Sequence, residues 1–227
     1  MMEKTVDYND ISIVKPLGSG CNSTCYLTTD NHVFKRFNNP KVFENNLKSI
    51  CGLHIPTYVF PQSVVTLEST IIGYIMEYVE GVKVQFLNKQ ISLEEYLKAL
   101  RIAEQDTLVL SNLRIHSFDL KSETILYTPD GKLKIIDTDF YYKVKSIRDL
   151  YTDNMGALSF GTMDILFNMY ATRFKTGYLE SRRGDLIDGK ISPSHYIEFL
   201  LHQMRISNID GMSVEDMSNE MKLLYRK

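Results

Sequence analysis

An α+β chain in two unequal parts is what this sequence predicts. Three observations predict it. Short β-like runs separated by turn residues fill the first third, helical apolar spacing fills most of the chain after Gly81, and one hairpin-like stretch, Thr124 to Ile136, interrupts the helical part. At 227 residues the chain suits one large domain or two small lobes, here divided into 1–80 and 81–227. Hydrophobic residues make up 44% and charged residues 24%, which are ordinary globular values.

The front part starts with Ile11 to Leu17, which partly alternates and ends at Gly18-Ser19-Gly20. Cys25 to Thr29 then meets the turn pair Asp30-Asn31, and His32 to Phe37 follows, which is a hairpin by composition and turn chemistry. Pro40 suits a first helical turn, Phe43, Leu47 and Ile50 recur at helical spacing, and Gly52 is the stop. Val64 to Leu67 and Ile71 to Met76 form a second hairpin around Glu68-Ser69-Thr70. This part should hold about five strands in a small antiparallel sheet, with one helix.

Strand character ends between Tyr78 and Lys83, where Gly81 allows a bend, and past it the pattern turns helical. Ser92-Leu93-Glu94-Glu95 reads as a capping box, with Leu93, Tyr96, Leu97 and Leu100 on one apolar face. Thr124 to Tyr127, the turn Pro129-Asp130-Gly131 and Leu133 to Ile136 form the interrupting hairpin. From about Asp149 the chain is helical again. Ser213-Val214-Glu215-Asp216 opens a last helix, with Met217, Met221 and Leu224 on one side.

Composition excludes several function classes. A formal net charge of −2 gives no electrostatic case for a nucleic-acid partner. Cys21, Cys25 and Cys51 make no disulfide framework, and Cys21 and Cys25 lack the second Cys/His pair of a zinc site. No apolar run approaches the roughly 18 residues of a membrane span. Met1 to Lys4 does not read as a signal peptide, so a cytoplasmic setting is expected.

Chemistry concentrates in five places. The small residues Gly18-Ser19-Gly20 between two strands would let backbone N–H groups approach phosphate oxygens; a plain hairpin loop is the other reading. Lys35, flanked by Val33-Phe34 in a strand, points either to solvent or into a cleft. Glu44 is the acidic residue of the following helix, where the helix dipole alone would favour it. Asp119 suits the handling of a hydroxyl proton, and Lys121 could neutralise charge on a transferred phosphoryl group. Asp137, at the C-terminal end of an apolar strand, suits Mg²⁺, which takes one or two carboxylates plus phosphate oxygens.

Taken together, their order and spacing resemble the bilobal protein-kinase fold, over roughly residues 11–160 and more weakly to the end. Gly18-Ser19-Gly20 is similar to the start of the kinase glycine-rich loop, and Val33-Phe34-Lys35 to the strand-lysine motif. Ile75 to Gly81 resembles the hinge, and Asp119-Leu120-Lys121-Ser122-Glu123-Thr124-Ile125-Leu126 the catalytic loop. Asp137-Thr138-Asp139 occupies the metal-binding triplet. The resemblance implies that Lys35 contacts the α- and β-phosphates of ATP, paired with Glu44. It makes Met76 the gatekeeper, with the Glu77 carbonyl and the Val79 backbone as adenine contacts and Cys25 above the ring. It makes Asp119 and Lys121 catalytic. Asp137, with Asp139 or Thr124, would hold Mg²⁺ or Mn²⁺. Asp153 falls where the family keeps a buried helix aspartate that steadies the catalytic loop.

The sequence also departs from the family. Ser117-Phe118 replaces the His-Arg pair before the catalytic aspartate, which removes the usual partner of an activation-loop phosphate. Thr124 replaces a metal-binding asparagine, Thr138-Asp139 replaces Phe-Gly, Ser23 replaces the third loop glycine, and the Ala-Pro-Glu motif is missing. Three functions are expected from this pattern. The first is an ATP-dependent kinase acting on a Ser/Thr hydroxyl. The second is a small-molecule kinase of the aminoglycoside or choline phosphotransferase kind. The third is a pseudokinase, or nucleotide-binding interaction module. The acceptor is open: a protein substrate or a small hydroxyl compound.

Overall fold

Apolar runs broken by left-handed turns fold the first third into a six-stranded sheet. The computed structural model describes residues 4–39, 44–146 and 148–226, with Glu44 and Asn45 described in backbone only. In chain order the strands are β1 (Thr5–Asp7), β2 (Ile13–Ser19), β3 (Ser23–Thr28), β4 (His32–Phe37), β5 (Ser63–Leu67) and β6 (Thr70–Glu77), with α1 (Glu44–Ile50) before β5. Their spatial order is β1-β5-β6-β4-β3-β2.

Asn31, at φ 60°, closes β3 on β4, as its turn chemistry requires. Glu68 and Ser69, at φ 49° and 67°, form the two-residue turn between β5 and β6, and Thr70 already belongs to β6. Both expected hairpins therefore form. The purely antiparallel sheet does not. β1 adds a sixth strand and pairs in parallel with β5, Thr5 opposite Val64 and Asp7 opposite Thr66. Thr5-Val6-Asp7 carries a single apolar residue, too little to signal a strand, and its pairing is set by the neighbouring β5 edge.

In α1, Leu47 and Ile50 are fully buried, and Gly52, at φ 76°, follows as the stop. Pro40 and Phe43, which the helical spacing also used, lie outside the described residues.

The second part holds β7 (Val82–Lys83), α2 (Leu93–Asn112), β8 (Ile115–His116), β9 (Ile125–Tyr127), β10 (Leu133–Ile135) and β11 (Tyr142–Lys143). It ends with α3 (Leu150–Met163), α4 (Gly177–Ile187), α5 (Pro193–Gln203) and α6 (Val214–Met221). The expectation of helix directly after Gly81 is corrected: β7 comes first and pairs with β9 in a sheet ordered β10-β9-β7. Gly81 serves this pairing by close approach, since a Cβ there would sit 2.9 Å from the Tyr127 carbonyl oxygen.

Ser92 caps α2 by accepting from the Glu95 N–H at 3.4 Å, so only one half of the expected capping box forms. Ser213 and Asp216 complete a reciprocal box on α6. The anticipated face of α2, Leu93, Tyr96, Leu97 and Leu100, is buried. Among the described residues no helix is long and apolar enough to cross a membrane.

The fold is α+β, with two apolar clusters. The smaller joins the sheet to α1 through Val33, Phe37, Leu47, Val59, Val64, Tyr74 and Met76. The larger gathers α2, α3, α5 and α6 with β9 and β10. The segment between α1 and β5 stitches the clusters together. The Ile135 N–H donates to the Thr57 carbonyl at 2.7 Å, and the Val59 N–H donates to the Ile135 carbonyl at 2.8 Å. Thr57 in turn donates its N–H to Asp106 of α2 at 2.8 Å.

Gly73 brings β6 close against β4. A Cβ at Gly73 would lie 2.1 Å from the Lys35 carbonyl oxygen, so no larger residue fits without parting the strands. Gly73→Ala is expected to cost about 3 kcal/mol or more in chemical denaturation. A loss under about 1 kcal/mol would show that the two strands separate readily.

Candidate active site

β4 has neighbours on both sides, β3 and β6, so Lys35 sits mid-sheet rather than on a solvated edge. Its side chain is 7% exposed. A buried ammonium needs charge partners, because losing its water shell costs several kcal/mol. Two partners come from the loop after β10. Lys35 Nζ donates to Asp137 Oδ1, and to Asp139 Oδ1 at 2.8 Å. The loop is fixed for this contact: the Thr138 hydroxyl donates to the Val59 carbonyl at 2.8 Å. Thr138 thereby fills the central position of the triplet with a buried hydrogen bond instead of an aromatic side chain.

Asp137 itself is left-handed, at φ 69°, and its side chain is 39% exposed. Asp139 differs sharply, with its side chain 1% exposed. The Tyr74 hydroxyl, on β6 directly opposite Lys35, donates to Asp139 Oδ1 at 3.4 Å. Asp139 Oδ2 is buried with no hydrogen-bond partner among the described residues.

The charges answer these positions. Burial pushes the Asp139 carboxyl up, Lys35 pulls it back and Asp137 adds to the rise, leaving it at about 6. Burial also raises Asp137, but the Lys35 ammonium, a hydrogen bond with Asp139 and the Lys121 charge together outweigh it and hold that carboxyl below its ordinary range. Burial lowers Lys35, and the Asp139 and Asp137 carboxylates more than compensate, so the lysine stays charged. Burial raises the Cys25 thiol, which lies opposite Lys35 in the β3–β4 register.

The catalytic-loop candidates follow β8. Asp119, left-handed at φ 63°, has its side chain 46% exposed, and Lys121 Nζ donates to both its carboxylate oxygens at 3.1 Å. Asp119 and Asp137 in this backbone region cost of order 1 kcal/mol or more each, a load that cleft residues often carry. Leu120 is buried against α3. A Cβ on Gly161 would meet Leu120 Cδ2 at 2.5 Å, so the glycine admits the loop. Thr124, a candidate metal ligand, bonds within its own loop. Its hydroxyl donates to the Lys121 carbonyl at 2.9 Å and accepts from the Lys121 N–H, so it closes the loop on itself.

Asp153 is also corrected: it is exposed on α3. Its neighbour Asn154, fully buried, does the steadying. Asn154 Oδ1 accepts from the Ser117 N–H at 2.8 Å and hydroxyl at 2.9 Å, while its amide donates to the Ser111 hydroxyl and the Ile115 carbonyl. Neither Asn154 nor Tyr74 is singled out by sequence reasoning. The only available signal is a polar Asn154 within an apolar helical stretch.

The nucleotide candidates sit around Lys35. Gly18, Ser19 and Gly20 form the β2–β3 tip, and a Cβ at Gly18 or Gly20 would meet nothing within 4 Å. Cys25, Val79 and Ile136 pack on the cluster holding Val33 and Met76. The Glu77 side chain takes Lys134 Nζ at 2.7 Å. The Val79 N–H makes no hydrogen bond among the described residues. Glu44 begins α1, but its side chain, and so its pairing with Lys35, lies outside the described residues.

For a metal, the described residues hold no group of three or more His, Cys, Asp or Glu. Beside the loop, a groove of about 690 Å³ is lined by His116, Leu120, Asp153, Phe160, Tyr170 and Lys190, among others. A hollow of about 800 Å³ involving α2 and α5 contains none of the candidate residues.

No protein-family model matches the chain, and no curated protein matches it.

Two outcomes test this geometry. Asn154→Ala should cost about 2–4 kcal/mol, because it strands buried partners, while Asp153→Asn should stay within about 0.5 kcal/mol; denaturant midpoints of both variants decide. The second test concerns pH. A carboxyl raised from 3.8 to about 6 contributes stability that is full below the lower value and lost as pH rises through the upper one. Stability of the parent relative to Asp139→Asn should therefore fall between about pH 4 and pH 6. A flat difference across that window would overturn the shift.

Proposed function

We propose that this chain is a two-lobed, protein-kinase-like phosphotransferase that moves the γ-phosphoryl group of ATP to an alcohol hydroxyl. The observation that carries the reading is the buried contact of Lys35 with Asp137 and Asp139 across the two parts of the chain. A lysine buried in a sheet and faced by loop carboxylates is a costly arrangement with an obvious use in binding phosphates. In this reading the β-sheet with α1 is the smaller lobe, and the chain from Gly81 onward is the larger.

Several further observations support it. The open tip at Gly18 and Gly20 suits close approach of backbone to phosphate. Cys25, Met76, Val79 and Ile136 offer an apolar bed for adenine, with the Val79 N–H, which has no hydrogen bond among the described residues, as a polar contact. Mg²⁺, when bound, would be held by Asp137 with help from Asp139, and would offset charge on the donor phosphates. Lys35 orients the α- and β-phosphates. Asp119 aligns the acceptor hydroxyl and takes its proton late, as the acceptor oxygen bonds to the γ-phosphorus and the bond to ADP breaks. Lys121, already paired with Asp119, would offset charge on the moving phosphoryl group. The groove lined by His116, Phe160, Tyr170 and Leu120, the residue after Asp119, would receive the acceptor in this reading.

One observation favours a second reading, a nucleotide-binding module without turnover. Thr124 spends its hydroxyl inside the loop, which leaves fewer groups for metal.

Calorimetry with ATP, with and without Mg²⁺, tests the shared step. The parent should bind, and Asp137→Ala should lose the Mg²⁺-dependent part of the affinity; unchanged Mg²⁺ dependence would remove Asp137 from the site. Turnover separates the two readings. Asp119→Asn should keep nucleotide affinity while γ-phosphoryl transfer from radiolabelled ATP falls about 100-fold or more. If the parent binds ATP but transfers to neither protein nor small alcohol, the binding-module reading stands instead.

A further inference from the structure

Among the described residues, Lys35 has two carboxylate partners of very different character. The Asp137 side chain is 39% exposed and belongs to a loop residue with left-handed backbone. The Asp139 side chain is 1% exposed, and its Oδ1 takes both Lys35 at 2.8 Å and the Tyr74 hydroxyl at 3.4 Å. A phosphate entering the cleft must compete with both for the ammonium. If Asp137 lets go, water can solvate it. If Asp139 lets go, it becomes a buried charge with only the Tyr74 hydroxyl beside it and no countercharge, which is far more costly.

From this asymmetry we infer that Asp139 is the positioning residue of Lys35, and that Asp137 is the exchangeable partner that yields the lysine to an incoming phosphate. The inference rests on the phosphotransferase reading above and deepens it. It gives Asp139 a task that the kinase resemblance assigns to the helix residue Glu44, and takes Asp139 out of an obligatory metal role. The lysine is then oriented by β4, by Tyr74 of β6 and by the loop after β10. These elements are locked together by Gly73 and by the Thr138 hydrogen bond to Val59. Orientation of the phosphate-binding lysine is therefore built into the resting fold and needs no inward movement of α1.

A double-mutant cycle tests this. Binding of the non-hydrolysable analogue AMP-PNP with Mg²⁺ is measured by calorimetry for the parent, Lys35→Met, Asp139→Asn and the double variant. Unfolding of the same four proteins is followed by denaturant. Asp139→Asn should weaken binding about tenfold in the parent background and less than about twofold where Lys35 is already gone. Its effect on the unfolding midpoint should likewise shrink when Lys35 is absent. Tyr74→Phe is the gentler probe should Asp139→Asn fail to fold. It removes one donor to Asp139 and leaves every charge in place, and should weaken binding about twofold to threefold, again only with Lys35 present. Equal losses in both backgrounds would make Asp139 a merely structural residue and overturn the inference alone. A parent that binds no AMP-PNP with Mg²⁺ overturns the phosphotransferase reading and this role with it, even if the unfolding cycle still detects the ion pair.

Discussion

A lysine ammonium buried between two carboxylates is the constraint around which the rest of this molecule is arranged. Left alone at 7% exposure, Lys35 would lose its charge or open the sheet. Two aspartates remove that problem and create another, since both carboxylates now approach each other in a poorly solvated space. The conflict is resolved unevenly. Asp137 keeps contact with water and stays readily ionised, while Asp139 gives up water entirely and has its ionisation pushed toward neutral pH. Such unequal division between neighbouring acids is the usual mark of a site with assigned roles.

Holding that triad needs close backbone placement from both parts of the chain. β4 must lie within the sheet, which Gly73 permits by letting β6 come close. The loop after β10 must reach under it, which the Thr57–Ile135 and Val59–Ile135 bonds and the Thr138 hydroxyl enforce. The catalytic-loop candidates are anchored separately. Asn154 grips Ser117 on one side of Asp119, and Gly161 admits Leu120 on the other. Backbone bonds and small residues thus carry the positioning, and charged side chains occupy the space they define.

Much of this was legible in the sequence because it is local. Turn pairs such as Asp30-Asn31, the helical spacing of Leu93, Tyr96, Leu97 and Leu100, and the box at Ser213 and Asp216 each depend on a few adjacent residues. So did the grouping of Asp119 with Lys121 and of Asp137 with Asp139. What escaped was pairing over distance. β1 is defined by its neighbour β5 and not by its own residues. Asp153 and Asn154 are adjacent, and only the rotation of α3 against β8 decides which one faces inward. The bond from the Thr124 hydroxyl to the Lys121 carbonyl likewise depends on the folded path of the loop and not on the residues alone.

The same local economy bears on control. The chain just after the metal-loop candidates is tied down early. Tyr142 and Lys143 pair with His116 and Ile115, and the Val144 N–H donates to the Arg114 carbonyl at 2.8 Å. Tyr142 to Val144, so bonded, have little freedom to swing away from β8. Ser117-Phe118 also supplies no cation before Asp119 that could reward such a swing. With Thr138 held by Val59 and Asp139 held by Lys35, each residue of the triplet that could flip is tethered by a buried bond. In the phosphotransferase reading proposed above, such a centre would be assembled in the resting fold, and the step left to regulate would be access of the acceptor rather than the geometry around Lys35.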